Sequence, residues 1–217
     1  MVPAFPMNLR RSLLRVVLAV GLLLAGLGPS SAHAQAPDSL EAPFVDAPLR
    51  PMGTDTSIQV EVPFVRSPKE VVVRMLEIAD VGPDDVLYDL GSGDGRIPIT
   101  AARRFGARGV GIEIRPDLVK KARRRAEIAG AADQVEFRQG DLFEADISEA
   151  SVVTLYLLPD INTRLRPKLL EQLAPGTRVV SHGFDMDAWK PDEVAEVGET
   201  RIYLWTVPEE IPPHLQN

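Results

Sequence analysis

The sequence predicts an α/β protein with a doubly wound, mostly parallel sheet and a C-terminal antiparallel hairpin, and three observations predict it. The stretch 86–113, VLYDLGSGDGRIPITAARRFGARGVGIE, reads as strand, glycine turn, helix and strand, and it ends in a carboxylate. Short apolar runs then alternate with helical stretches as far as His182, the pattern of a sheet covered by helices on both faces. Finally, Val194 to Gly198 and Arg201 to Val207 read as two strands turning back across Glu199-Thr200, an antiparallel feature added to the sheet.

Before that domain the chain changes character twice. Arg10, Arg11 and Arg15 precede an uncharged apolar run from Val16 to Gly28, and Ala32-His33-Ala34 matches an A-x-A cleavage site. This is the three-part layout of a secretory signal peptide over residues 1–34. The run is shorter than the ~20 residues that a membrane-spanning helix needs. The expectation is therefore an exported protein, periplasmic or extracellular. An uncleaved segment anchoring the chain in a membrane is the alternative. There is no cysteine, hence no lipid-attachment thiol and no disulfide. Residues 35–61 are rich in proline and small polar residues without a sustained period, which reads as a linker or arm. The domain is expected over 62–208 and a tail over 209–217.

Charge narrows the partners. Removing the first 34 residues takes away three arginines and no acid, leaving 21 basic and 31 acidic side chains, a net of −10. A surface of that sign argues against nucleic acid. The one basic cluster, Lys120, Lys121, Arg123, Arg124 and Arg125, falls on an expected helix and reads as a solvated face. The chain is expected to act as a monomer.

Element by element, Ser67 with Glu70 forms a capping box and Pro68 takes the first position of a helix running to about Ala79. Its apolar face carries Val71, Val72, Met75, Leu76 and Ala79. Val86, Leu87, Tyr88 and Leu90 suit a buried strand, and Asp89 interrupts them. A carboxylate there is costly unless something pairs with it, so it hints at a site. A helix from Arg96 to Phe105 stops at Gly106, and Gly109 to Ile114 is the second strand. A helix from Pro116 to Ala129 stops at Gly130, and Val135 to Arg138 is the third strand. Ser151 to Leu158 is the fourth strand, Ile161 to Leu173 a helix kinked at Pro167, and Thr177 to His182 the fifth strand.

The chemistry concentrates at the glycine turn. Gly91, Ser92, Gly93, Asp94 and Gly95 leave room for a ligand to approach the backbone, and the following helix turns its free N–H groups toward it. Glu113, at the carboxyl end of the second strand, stands where a carboxylate takes both hydroxyls of a ribose. A dinucleotide fingerprint would place its third glycine one residue later, so the spacing favours a nucleoside without a pyrophosphate. The same turn binding another ligand, or none, is the competing possibility.

Acid, turn, helix, strand and second acid in this register resemble the first two motifs of class I S-adenosylmethionine-dependent methyltransferases. The resemblance runs from about Pro63 to Val207, and PFVRSP, DLGSGDGR and YLLPD together look most like the small protein-lysine methyltransferases related to the mitochondrial enzyme that modifies the c-ring protein of ATP synthase. It implies a Rossmann-like fold, S-adenosylmethionine as cofactor, and a protein lysine or other amine, on a protein or a small molecule, as acceptor. It also implies cofactor binding by Asp89, Gly91, Ser92, Gly93, Gly95, Glu113, Asp141 and Leu142, with Asp141 receiving the adenine amino group. Residues 62–68 would cover the cofactor, or serve only as a docking strap. The apparent export signal departs from the family's pattern and puts the substrate in doubt.

A lysine acceptor must arrive neutral, so groups that orient it or take its proton are sought at the carboxyl ends of the strands. Tyr156 and Asp160 are the catalytic candidates, with His182 and Asp185 behind them. The competing structural roles are the core for Tyr156, an N-cap for Asp160, a satisfied buried histidine for His182 and a surface turn for Asp141. Trp189 and Trp205 read as packing residues. Three histidines far apart make no metal cluster. No G-x-S-x-G, catalytic cysteine or P-loop lysine is present, so hydrolases and phosphotransferases lack their essential residues. A non-catalytic module that binds a nucleoside or a protein outside the cytoplasm is the alternative function.

Overall fold

The computed structural model describes residues 64–216; the expected signal segment, the arm and the first two residues of the domain lie outside them. The elements follow in chain order. Helix α1 (Lys69–Ile78) leads to β1 (Val86–Leu90), α2 (Arg96–Thr100) with a π-helical continuation (Ala101–Phe105), and β2 (Arg108–Glu113). Then come α3 (Pro116–Ala129), β3 (Val135–Gln139), β4 (Val152–Leu155), α4 (Pro159–Gln172) and β5 (Arg178–His182). The hairpin β6 (Glu193–Val197) and β7 (Thr200–Thr206) closes the sheet, and a 3₁₀ turn (Pro213–Leu215) follows.

All seven strands form one sheet in the order β3-β2-β1-β4-β5-β7-β6. The first five are parallel, and β7 runs antiparallel to both β5 and β6. Alternation along the buried strands explains the two faces. Leu87, Val152, Val180 and Ile202 pack with Val71, Met75 and Leu76 of α1 on one side. Tyr88, Val153, Val179 and Trp205 pack with Leu165 and Leu169 of α4 on the other. Met75 and Leu76 are fully buried, each worth roughly 1.5–3 kcal/mol relative to exposure. At the sheet's amino edge Asp85 accepts from Ser151 Oγ at 2.7 Å and pairs with Arg178, tying β1, β4 and β5 together away from the site.

Several expectations shift. The capping box at Ser67 and Glu70 is not formed: Pro68 is the N-cap, and the Ser67 hydroxyl points instead to His182. Strand β4 stops at Leu155, and α4 begins at Pro159, before the expected Ile161. It runs on through Pro167 to Gln172. The hairpin turns across Gly198 and Glu199, with Val197 paired to Thr200. Gly198 has φ +59°, which glycine supplies without strain.

Candidate active site

The carboxyl ends of β1, β2, β4 and β5 converge on the turn 91–95, where an open α/β sheet binds ligands. Gly91 N and Ser92 N both donate to Ile112 O at 2.9 Å, fastening the turn to β2. Gly93, at φ +54°, lies under the Phe64 ring so closely that a β-carbon would overlap it. A β-carbon on Gly95 would meet Phe137 Cζ at 2.5 Å, so that glycine lets α2 pack on β3 and α3. The Ser92 hydroxyl is buried without a partner.

Two carboxylates border the turn. Glu113, 7% exposed, accepts from Gly93 N at 2.8 Å through Oε2 and from Arg115 N at 2.9 Å through Oε1. Asp89, 3% exposed, accepts from Thr154 Oγ1 at 2.7 Å. Burial pushes the Asp89 carboxyl up to about 7, the Thr154 bond opposing it and the charges of Glu113 and Asp94 adding to it. Gly140 N donates to Glu113 O at 3.1 Å, which brings the turn after β3 to the same rim. There Asp141 is half-buried and its Oδ1 accepts from Phe143 N at 2.8 Å, while Leu142 packs on the main core.

Asp94 plays a part that its place in the motif does not reveal. Although 1% exposed, it accepts from Arg96 Nε at 2.9 Å and Nη2 at 2.8 Å, pairs with Arg125 of α3, and has Arg66 Nε at 3.9 Å. Burial would raise its carboxyl, but the Arg96 bonds and the charges of Arg125, Arg96 and Arg66 hold it below the usual range. Arg96 Nη1 also donates to Ser67 O at 2.8 Å. Residues 64–67 are thus strapped across the glycine turn by one arginine and one ring.

Beyond the carboxyl ends of β4 and β5, Tyr156 is half-buried, its ring stacked on His182 with centroids 3.8 Å apart. It is therefore neither a core residue nor a fully exposed one. Burial pushes the His182 imidazole down to about 4, so it is neutral at ordinary pH. The buried Ser67 Oγ lies 2.9 Å from His182 Nδ1. Asp160 is exposed in the first turn of α4, whose N-cap is Leu158. Asp185 is exposed and accepts from Asp187 N at 3.1 Å within its own turn. Trp189 and Trp205 are buried, Trp205 Nε1 donating to Trp189 O at 2.8 Å.

Sequence reasoning missed four supports. Thr154 could have been suspected as the one hydroxyl inside an apolar strand, and Asp94 as a second acid in the turn. Asn162 carried no local signal; fully buried, its Nδ2 donates toward Ser181 Oγ and the carbonyls of Phe184 and Asp185, bracing the loop behind Tyr156. Neither did Arg166, which reaches Met186 O at 3.0 Å. Among the described residues no group of His, Cys, Asp and Glu is placed to hold a metal, and no helix is long and apolar enough to cross a membrane.

Sheet order, glycine turn and the two flanking acids define the class: this is a class I S-adenosylmethionine-dependent methyltransferase, and the unpartnered Ser92 hydroxyl and the carboxylates Asp89 and Glu113 suit its cofactor. Comparison with known proteins gives the same class. The ANTKMT methyltransferase domain matches residues 89–193. A protein-lysine N-methyltransferase of Saccharolobus islandicus is 47% identical over 153 residues, 68% of this chain and 95% of that protein. The adenine nucleotide translocase lysine N-methyltransferase of Mus musculus is 33% identical over 160 residues, 73% of this chain and 69% of that one. A crystal structure described as an RNA methyltransferase from Salinibacter ruber, in complex with S-adenosyl-L-homocysteine, is 69% identical, with a TM-score of 0.69, covering 70% of this chain and 100% of that chain. The chain belongs to the protein-lysine N-methyltransferase family.

Proposed function

We propose that this protein transfers the methyl group of S-adenosylmethionine to a lysine ε-amine of another protein. The observation that carries the reading is the 47% identity to a protein-lysine N-methyltransferase spread over 95% of that protein. The matched family domain takes in both site acids, the glycine turn and the whole acceptor side.

The cofactor, when bound, supplies an activated methyl group, so the protein's work is to bind, align and exclude water. Asp89, Ser92 and Glu113 hold it at the turn, and Asp141 borders it at the rim. Phe64 and the following residues shield that turn from solvent. Tyr156 and the neutral His182 wall the acceptor side without placing a positive charge in the path of an incoming ammonium. The exposed Asp160 offers that ammonium a carboxylate on approach. One chain supplies all of these groups, which supports the expectation of a monomer.

An RNA acceptor is the second reading, favoured by the description of the Salinibacter ruber protein. Charge speaks against it here: from residue 64 onward the chain carries 20 basic and 26 acidic side chains. The layout of residues 1–34 supports work outside the cytoplasm or tethered to a membrane. The test is incubation of the full chain with radiolabelled S-adenosylmethionine and a cell extract, in parallel after nuclease and after protease digestion. Label surviving nuclease and recovered as methyl-lysine supports the reading; label lost to nuclease alone replaces lysine with RNA. No transfer, with cofactor binding intact, points to the non-catalytic module.

A further inference from the structure

The cofactor turn and the acceptor side are joined by an unbroken run of contacts. Asp94 holds Arg96, Arg96 Nη1 donates to Ser67 O at 2.8 Å, Ser67 Oγ lies 2.9 Å from His182 Nδ1, and the His182 ring stacks on Tyr156 at 3.8 Å and 27°. The sequence distance is large, 115 residues between Ser67 and His182, so this bond exists only because the strap is seated. Ser67 stands one residue before the N-cap Pro68, and its hydroxyl goes to His182, not to the first turn of α1.

We propose that Ser67 and His182 are a positioning pair, through which the seating of residues 64–67 over the glycine turn sets the Tyr156 ring against the acceptor amine. The inference rests on the methyltransferase reading. Phe64 touches Gly93 at one end of the strap and Ser67 touches His182 at the other, so a ligand that changes the first contact changes the second. The imidazole cannot turn freely, being 4% exposed and held on one edge by Ser67 and on one face by Tyr156. Asn162 fixes the loop beyond it, leaving Ser67 as the movable member. His182 is thus a positioning residue, acting through Tyr156.

Only three histidines occur, which makes the pair directly observable. The full chain carrying ¹³Cε1-labelled histidine is titrated with S-adenosylhomocysteine, the signals of His33 and His214 being assigned with H33Q and H214Q. The His182 signal is expected to move on binding. Ser67→Ala is expected to abolish that movement while keeping cofactor affinity within about threefold, and Ser67→Thr, which restores a hydroxyl, to recover it. Phe64→Ala, which loosens the strap and leaves the pair intact, is expected to reduce it, and serves if S67A does not fold. Equal movement of the His182 signal in wild type and S67A overturns the proposal. Failure of every form to bind S-adenosylhomocysteine overturns the cofactor reading instead.

Discussion

Asp89 and Thr154 are direct partners across the β1–β4 pair, and the threonine hydroxyl donates at 2.7 Å to a carboxyl that is almost wholly buried. Among the described contacts, Thr154 is the one hydrogen-bond donor to the Asp89 side chain. Thr154→Val keeps the shape and removes the donor. It is expected to destabilise the fold by about 1–3 kcal/mol, the range for a buried polar group left without its partner, and to weaken cofactor binding at neutral pH. Thermal unfolding and calorimetric titration with S-adenosylmethionine check the two effects; a variant unchanged in both removes Thr154 from the site.

Asp89 itself gives the enzyme a pH dependence of known sign. Its folded-state value, about 7, lies above the unfolded one, so the folded chain keeps a proton that the unfolded chain releases. The stability it contributes is full below about pH 4 and is lost as pH rises through about 7, roughly 4 kcal/mol in all. Asp89→Asn should therefore raise the melting temperature at alkaline pH and leave it unchanged near pH 4. A cationic cofactor favours the ionised carboxyl, so affinity for S-adenosylmethionine should climb between about pH 6 and about pH 8 in the wild type and stay flat in the variant.

Asp94 works in the opposite direction. Its carboxyl is held low, so its contribution is present above the ordinary carboxylate range and is lost as pH falls through its depressed folded value. Asp94→Ala leaves Arg96 and Arg125 without their common partner and unties the strap. A loss of about 2–4 kcal/mol is expected, below the full buried-pair range because the arginines are partly exposed. Acid unfolding curves for wild type and variant should converge at low pH.

Gly93→Ala tests the strap from the other side. The residue sits at φ +54° and its β-carbon would enter the Phe64 ring. Strain at that backbone angle costs about 1–3 kcal/mol, and the clash adds to it. Adding Phe64→Ala should recover the steric part and leave the backbone part, giving a coupling well outside additivity in a double-mutant cycle. Strict additivity would mean that Phe64 does not rest on the turn.

Periodicity and glycine spacing carried much of this fold in the sequence: the parallel strands, the hairpin, and Asp89, the glycine turn and Glu113 at one edge. What was not legible came from distance along the chain. Ser67 looks like a helix cap because Glu70 stands three residues on, but His182, 115 residues away, claims the hydroxyl. Asp94 reads as part of a turn until Arg66, Arg96 and Arg125 meet on it. β4 ends at Leu155, one residue before Tyr156, which is next in register to His182 and stacks on it, while Leu157 lies against Gly91. The switch to a π-helical turn at Ala101 had no sequence signal that we can name.

The place of β7 between β5 and β6 has a consequence for biogenesis. The strand made last is an interior strand, and it carries Trp205, fully buried in the core. Until residue 206 has left the ribosome, β6 has no neighbour and β5 keeps an open edge, so the nascent chain lacks the wedge that locks its sheet. The pairing itself is local, a tight hairpin with β6 and 20 to 28 residues from its partners in β5, so little loop-closure entropy delays it once β7 is made. The sheet therefore closes as one of the last events of synthesis, when residues 200–206 become available to pair with both β5 and β6.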